Sequence, residues 1–166
     1  SARRREVKKG IVGRAHKAYE RLFSVADRVV AGDGEEAIFI AIQAEAPRLI
    51  DADDPDSDLF LDKDKLSELP PPARHLIDLD SYHYYIDGER ASSLIMQLGC
   101  PFACRFCSGR LSPSFRRARI RGIASVLNEI EQLYKTYGYK GIMAYDDEVN
   151  VNPNMIQDMY AIAGLQ

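Results

Sequence analysis

Three cysteines crowded into eight residues constrain this chain more than any other feature of its sequence. Cys100, Cys104 and Cys107 are the only cysteines among 166 residues, and their spacing is C-x3-C-x2-C. An odd number of thiols this close together is a poor disulfide framework and is typical of a metal or cluster loop in a reducing compartment. Because a four-iron cluster held by three thiolates keeps one iron without a protein ligand, such a loop differs from the four-cysteine ferredoxin arrangement.

Composition and charge narrow the class of protein further. The chain is 46% hydrophobic and 28% charged with a formal net charge of -3, which predicts a globular protein with no general attraction to nucleic acid or anionic membranes. No apolar run approaches the roughly 20 residues that span a bilayer, and the first residues lack the apolar stretch of a signal peptide. We therefore expect a cytoplasmic protein without a membrane partner.

The second half of the chain alternates strands with helices. Apolar residues at helical spacing predict a helix over 123–137, ended by Gly138, and a last helix after Asn152-Pro153. Residues 91–98 and 141–145 read as strands, and the turn signal Asp87-Gly88 predicts a hairpin before the first of them. This order predicts a parallel sheet, with the cysteine loop and the acidic run Asp146-Asp147-Glu148 at the same strand ends.

The first half of the chain reads as a shorter α/β segment followed by a linker. A strand is predicted over residues 25–31, and the run Gly32-Asp33-Gly34 then separates it from a helix over 37–42. From residue 47 the composition shifts to aspartate and proline, with seven aspartates between Asp51 and Asp64 and three prolines at 70–72. Such a composition predicts a linker.

The cysteine spacing, with Phe106 just before the last cysteine, resembles the signature of the radical S-adenosylmethionine (SAM) superfamily. The resemblance implies that Cys100, Cys104 and Cys107 hold a [4Fe-4S] cluster whose open iron is chelated by SAM. It further implies an enzyme that reductively cleaves SAM to a 5′-deoxyadenosyl radical, for methyl transfer or another radical modification. An electron donor such as flavodoxin or ferredoxin would be a partner, and the substrate, small molecule or macromolecule, is not indicated.

The same resemblance suggests which residues lie near SAM. Asp146-Asp147-Glu148 stands where the family contacts the SAM amino group, and it is similar to the Asp-Asp stretch of cobalamin-associated members. Phe106, Ser108 and Gly109 are the expected cofactor-binding residues of the loop. No residue is assigned a catalytic role. For any single carboxylate, a solvated acidic loop is an equally weighted alternative, since most strand-end carboxylates are not catalytic.

The amino-terminal segment resembles the end of the flavodoxin-like, Rossmann-like cobalamin-binding domain that precedes many radical SAM domains. The resemblance rests on residues 26–37, with their Gly-Asp-Gly-Glu turn, and on the proline segment 69–74. It divides the chain into residues 1–46 from the cobalamin-binding-like domain, 47–90 as linker and hairpin lead-in, and 91–166 as the start of a partial (β/α) barrel. The chain would then be a fragment. It has no Asp-x-His-x-x-Gly motif, so cobalamin is expected only in a longer protein.

Two other functions remain open on the sequence. A structural zinc site would need a fourth ligand such as His75 or His83, neither of which has finger-like spacing from the cysteines. An iron–sulfur electron-transfer or scaffold protein would bind a cluster but no SAM. A local run of arginines suits carboxylate or phosphate, and without interleaved aromatic residues it gives little reason to expect nucleic acid. These arginines are Arg105, Arg110, Arg116, Arg117, Arg119 and Arg121.

Overall fold

The chain is a mixed α/β protein. The computed structural model describes residues 6–163, without the side chains of residues 110, 159, 162 and 163. The chain consists of two compact units, one formed by residues 1–62 with 99–118 and the other by residues 63–98 with 119–166. Each unit therefore contains two stretches of sequence, whereas the sequence predicted consecutive domains. None of the described helices is long and apolar enough to cross a membrane.

The first unit contains a short parallel β-α-β arrangement. Helix α1 (Arg14–Val25) precedes strand β1 (Val29–Gly32), helix α2 (Ala37–Ala41) and strand β2 (Leu49–Ala52), and β1 pairs with β2 in parallel. The predicted helix α2 is confirmed. The predicted start of β1 was wrong, because Val25 ends α1 and the strand begins only at Val29.

Strand β2 lies inside the segment that the sequence predicted to be a linker, and this part of the prediction was wrong. Ile50 and Ala52 are buried and alternate with the more exposed Leu49 and Asp51. They pack with Ala37 as the core of this unit. Because aspartates flank so short an apolar pattern, composition pointed to a loop, while the actual strand is stabilised by burial against α2.

The second unit is built around a parallel strand pair. Strands β3 (Tyr85–Ile86) and β4 (Glu89–Leu94) form the predicted hairpin, with Asp87 and Gly88 both at positive φ in its turn. Strand β7 (Gly141–Ala144) then pairs in parallel with β4, as the strand order predicts. A short helix, α3 (Lys63–Glu68), precedes the hairpin.

Helix α4 (Ile123–Tyr137) covers the parallel pair and matches its predicted bounds. Gly138 adopts φ 70° and ψ 19°, and its amide donates to the carbonyl of Leu133, which ends the helix. The last helix, α5 (Asn154–Ala163), begins as predicted, with the Asn154 amide donating to the Asn152 side chain at 3.2 Å. The buried core of this unit consists of Leu94, Met96, Val126 and Met155.

The strand predicted over residues 91–98 is interrupted. Strand β4 ends at Leu94, and strand β5 (Gln97–Leu98) pairs separately with β6 (Arg119–Ile120). The backbone of Met96 explains the interruption, because its amide donates to Asp146 at 2.8 Å and its carbonyl accepts from the Arg121 amide at 2.9 Å. The backbone of Met96 therefore bonds to a side chain and to the Arg121 amide, and it does not continue the pairing of β4 with β7.

A buried ionic triad ties the proline-rich segment to helix α4. Glu129 is 1% exposed, and its carboxylate accepts from Arg74 at 2.6 Å and from Arg121 at 2.7 Å. Arg121 also donates to the carbonyl of Ile95 at 2.8 Å. Two members of the local run of arginines are therefore not on the surface: Arg121 belongs to this triad, and Arg119 is only 6% exposed.

Replacement of Glu129 tests how much this triad stabilises the protein. Glu129→Ala should lower the free energy of unfolding by about 3–5 kcal/mol, because it leaves two buried guanidinium groups without their counter-ion. Urea denaturation followed by circular dichroism measures the change. Glu131→Ala on the same helix is the control, since both Glu131 and its partner Lys135 are exposed and the loss of this surface pair should leave the midpoint unchanged. Equal effects of the two substitutions would contradict this account.

Candidate functional site

Backbone contacts close the cysteine loop, residues 99–107, at its base. The Cys100 amide donates to the carbonyl of Phe115 at 2.7 Å. Gly99 has φ 84°, and a Cβ at this position would collide with the backbone carbonyl of Arg117. A glycine is thus required where the chain enters the loop, because the segment that returns from the loop passes so close to it.

The three thiols have different accessibility within this loop. Cys100 and Cys107 are half-buried, Cys104 is exposed, and none of them forms a disulfide. The Cys107 amide donates to the Cys104 carbonyl at 3.1 Å, so these two cysteines bracket a single tight turn. Over the described residues, no three His, Cys, Asp or Glu side chains are grouped as ligands of a metal ion would be. The convergence of the three thiolates stays a prediction.

The donor set nevertheless fits an iron–sulfur cluster. Thiolates are the usual cluster ligands, and the three cysteines here are unpaired in a loop that leaves Cys104 open to solvent. The candidate zinc ligands His75 and His83 are both exposed.

The predicted SAM-binding residues of the loop have contrasting environments. The Phe106 side chain is 94% exposed, and Ser108 is exposed at the start of a 3₁₀ helix, Ser108–Leu111. Gly109 lies beneath the ring of Phe115, so closely that a Cβ would overlap the ring atoms. Gly109 therefore has a packing reason to be glycine, in addition to the predicted role in cofactor binding.

Residues 112–117, here called the return arm, follow the loop and are held by a residue that the sequence did not single out. Asp53 is 2% exposed, and its Oδ1 accepts from the hydroxyl of Ser112 at 2.9 Å and from that of Ser114. Asp53 is one of seven aspartates in the predicted linker, so nothing local distinguishes it. Only the long-range contact identifies it.

At the end of β7, the three residues of the acidic run differ in exposure and in hydrogen bonding. Asp146 Oδ1 accepts from the Met96 amide at 2.8 Å, while its Oδ2 is buried and has no hydrogen-bond partner in the described part of the chain. Asp147 is exposed and Glu148 is half-buried. Of the three predicted carboxylates, Asp146 is thus the one with a defined and partly unsatisfied environment.

Burial raises the pKa of the Asp146 carboxyl above its ordinary value. The amides of Met96 and Gln97 lower this pKa but do not offset the loss of water around the carboxylate. The charge of Asp147 raises the pKa further, and that of Arg121 lowers it. A carboxylate with one oxygen dry and unpartnered is suited to receive a cationic or hydrogen-donating group.

Gln97 is a second residue that the sequence did not single out. It is fully buried in β5, and neither the oxygen nor the nitrogen of its amide has a partner among the described residues. Most buried polar groups in proteins are hydrogen-bonded, so an unsatisfied amide indicates a place where a further polar group fits. The only signal in the sequence was a glutamine directly after the apolar run Leu94-Ile95-Met96.

The arginines near the loop do not act as one surface. Arg105 and Arg117 are exposed, and the Arg117 guanidinium lies 5.9 Å from the centre of the Phe60 ring. The side chain of Arg110 lies outside the described residues. With Arg119 and Arg121 buried, the described arginines of this run do not all belong to a solvated face.

Comparison with known proteins finds a family model that matches part of this chain. Residues 94–166 match the model of the Radical SAM superfamily, and the match includes the three cysteines and the acidic run. An uncharacterized methyltransferase of Pyrococcus horikoshii is 32% identical over 94 residues, 57% of this chain and 20% of that protein. The anaerobic magnesium-protoporphyrin IX monomethyl ester cyclase of Cereibacter sphaeroides is 30% identical over 139 residues, 76% of this chain and 22% of that enzyme.

The chain spans about a fifth of the length of these two relatives. No solved structure matches it.

The raised pKa of Asp146 gives a pH prediction. At pH values between the ordinary carboxyl pKa and the raised pKa of Asp146, the folded chain binds more protons than the unfolded chain. Ionisation of Asp146 therefore lowers the free energy of unfolding as the pH rises above about 4. The unfolding free energy of the wild type, minus that of Asp146→Asn, should therefore fall as pH increases from 4 to 7. Urea titrations at each pH measure this difference. A difference that grows with pH would show instead that the folded chain stabilises the Asp146 carboxylate.

Proposed function

We propose that this chain provides the cluster-binding loop of a radical SAM enzyme, with Cys100, Cys104 and Cys107 as ligands of a [4Fe-4S] cluster. The observation that carries the proposal is the set of three unpaired thiols at C-x3-C-x2-C spacing inside the segment that matches the Radical SAM superfamily. Thiolates are the usual ligands of such clusters, and three of them leave one of four irons free for another ligand.

In this proposal the cysteine loop has a binding role and supplies no proton transfer. Its backbone is fixed at Cys100 by Phe115 and between Cys104 and Cys107 by a tight turn, which limits the freedom that binding would have to remove. The exposed Cys104 leaves the loop accessible to iron and sulfide during assembly. When bound, the reduced cluster would supply the electron for cleavage of SAM to a 5′-deoxyadenosyl radical.

We further propose that Asp146 binds the amino group of SAM. Its Oδ2 is buried without a protein partner, and a charge-assisted hydrogen bond from an ammonium group would satisfy this oxygen. The ammonium would also favour the ionised form of a carboxyl whose pKa burial raises. Asp147, Glu148, Phe106, Ser108 and Gly109 are proposed as further cofactor-binding residues on the family resemblance alone.

The names of the relatives suggest the type of reaction. One is called a methyltransferase and the other a cyclase, which fits methyl transfer or another radical modification as the overall reaction. These names do not indicate the substrate, the electron donor or any use of cobalamin for this chain, which aligns with only about a fifth of each relative.

Anaerobic reconstitution with iron and sulfide tests the cluster directly. The wild-type chain should become brown and bind about four irons, because its three thiolates hold a single [4Fe-4S] cluster. Cys104→Ala should reduce the bound iron to less than about one per chain, since two thiolates do not hold this cluster. Iron analysis and visible absorption measure both results. Ala103→Ser, which changes the exposed neighbouring side chain without removing a thiol, is the matched control and should bind iron as the wild type does.

Zinc separates this proposal from the main alternative. Purification that yields a colourless chain with one tightly bound zinc, and no iron uptake on reconstitution, would show a structural metal site and would contradict the proposed cluster.

A further inference from the structure

Asp53 is a buried carboxylate whose hydrogen bonds reach a distant part of the sequence. It follows strand β2 directly, and its own amide donates to Asp51 Oδ1 at 3.1 Å. Its Oδ1 accepts from the hydroxyls of Ser112 and Ser114 in the return arm, some sixty residues later in the chain. Because burying a carboxylate costs free energy unless hydrogen bonds compensate, this contact restricts both serines to one arrangement.

The two serines in turn fix the backbone of the return arm. The two hydroxyls lie 3.1 Å apart, and the Ser112 hydroxyl accepts from the Phe115 amide at 3.4 Å. The carbonyls of Ser112 and Ser114 accept from the amides of Arg116 and Arg117, at 3.1 Å each. Every residue from 112 to 117 except Pro113 therefore takes part in this network.

Phe115 connects the network to the cysteine loop. Its carbonyl accepts from the Cys100 amide at 2.7 Å, and its ring packs on Gly109. The first ligand cysteine and the helical turn after the last one are thus positioned by the same residue. A displacement of the return arm would move both ends of the loop.

We propose that Asp53 is a positioning residue for the cluster: by holding Ser112 and Ser114 it sets the place of Phe115, and through Phe115 the place of the cysteine loop. This inference rests on the proposed function for its final step. It assigns a role in assembling the iron–sulfur site to a residue of the segment that composition predicted to be a linker.

A merely structural role for Asp53 would have a different consequence. Loss of a structural contact would loosen the first unit as a whole, including the paired strands β1 and β2. Loss of a positioning contact should instead act selectively on the loop. Hydrogen exchange at individual amides separates the two, with the Cys100 amide reporting on the loop and the Ile50 amide on the strands.

The test uses Asp53→Asn, with Asp56→Asn as the matched control. Asparagine replaces two charge-assisted hydrogen bonds with neutral ones, and Asp56 is an exposed aspartate in the same segment. In the chain without iron, Asp53→Asn should speed exchange of the Cys100 amide about tenfold and leave that of Ile50 unchanged. In the reconstituted chain it should speed the loss of iron to a chelator about tenfold and alter the paramagnetic resonance spectrum of the reduced cluster.

Ser112→Ala is the second variant, for the case in which Asp53→Asn does not fold. It removes only one half-buried hydroxyl and is therefore less disruptive. It should have the same selective effect in smaller degree. The proposal would be overturned if, in both variants, the exchange rate of the Cys100 amide and the rate of iron loss matched those of the Asp56→Asn control. It would also be overturned if exchange accelerated equally at the Cys100 and Ile50 amides. If the wild type takes up no cluster at all, the proposed function fails, while the exchange data still decide whether Asp53 holds the loop.

Discussion

The hydrogen bond from the Cys100 amide to the Phe115 carbonyl is the contact on which the proposed site depends. The two large apolar side chains of the cysteine loop, Phe102 and Phe106, are exposed, so burial of its own side chains does not fix the conformation of the loop. Here the chain returns through residues 112–117, and the buried Asp53 holds that return arm through Ser112 and Ser114. The loop is therefore held by the segment that contains β1 and β2, and the compact unit to which it belongs combines residues 1–62 with 99–118.

Buried charges in this chain connect segments that are distant in sequence. Glu129 bonds to both Arg74 and Arg121, and Asp53 holds the return arm. Asp146 accepts a hydrogen bond from the amide of Met96, which lies between β4 and β5. Each of these groups loses water on folding and regains hydrogen bonds only if the segments meet correctly. Such contacts add specificity to a small protein. Arg121, one of the local run of arginines, serves this purpose through its hydrogen bonds to Glu129 and to the carbonyl of Ile95.

Local sequence patterns predicted the elements whose stability is local. Helix α4 was predicted at its observed bounds because its apolar residues recur at helical spacing and Gly138 ends it. The Asp87-Gly88 hairpin and the Asn152 cap were predicted for the same reason: each depends on neighbours within a few residues. Of the candidate site, the cysteine spacing and the acidic run were visible in the same way.

The features that were missed depend on partners far along the chain. Strand β2 was interpreted as a linker because aspartates surround it, and it is stabilised by its pairing with β1 and by burial against Ala37 of α2. The break between β4 and β5 depends on Asp146 and Arg121, which lie beyond residue 100. Asp53 resembles six other nearby aspartates in sequence and differs from them only in burial and partners. Periodicity and composition do not contain this information.

The most direct test of the central claim is a Mössbauer spectrum of the chain reconstituted with ⁵⁷Fe, recorded without and with SAM. The account predicts a [4Fe-4S] spectrum in which about one iron in four changes its isomer shift when SAM is added, because only that iron lacks a thiolate from Cys100, Cys104 or Cys107. A spectrum that SAM leaves unchanged, or one that shows no four-iron cluster at all, would contradict it.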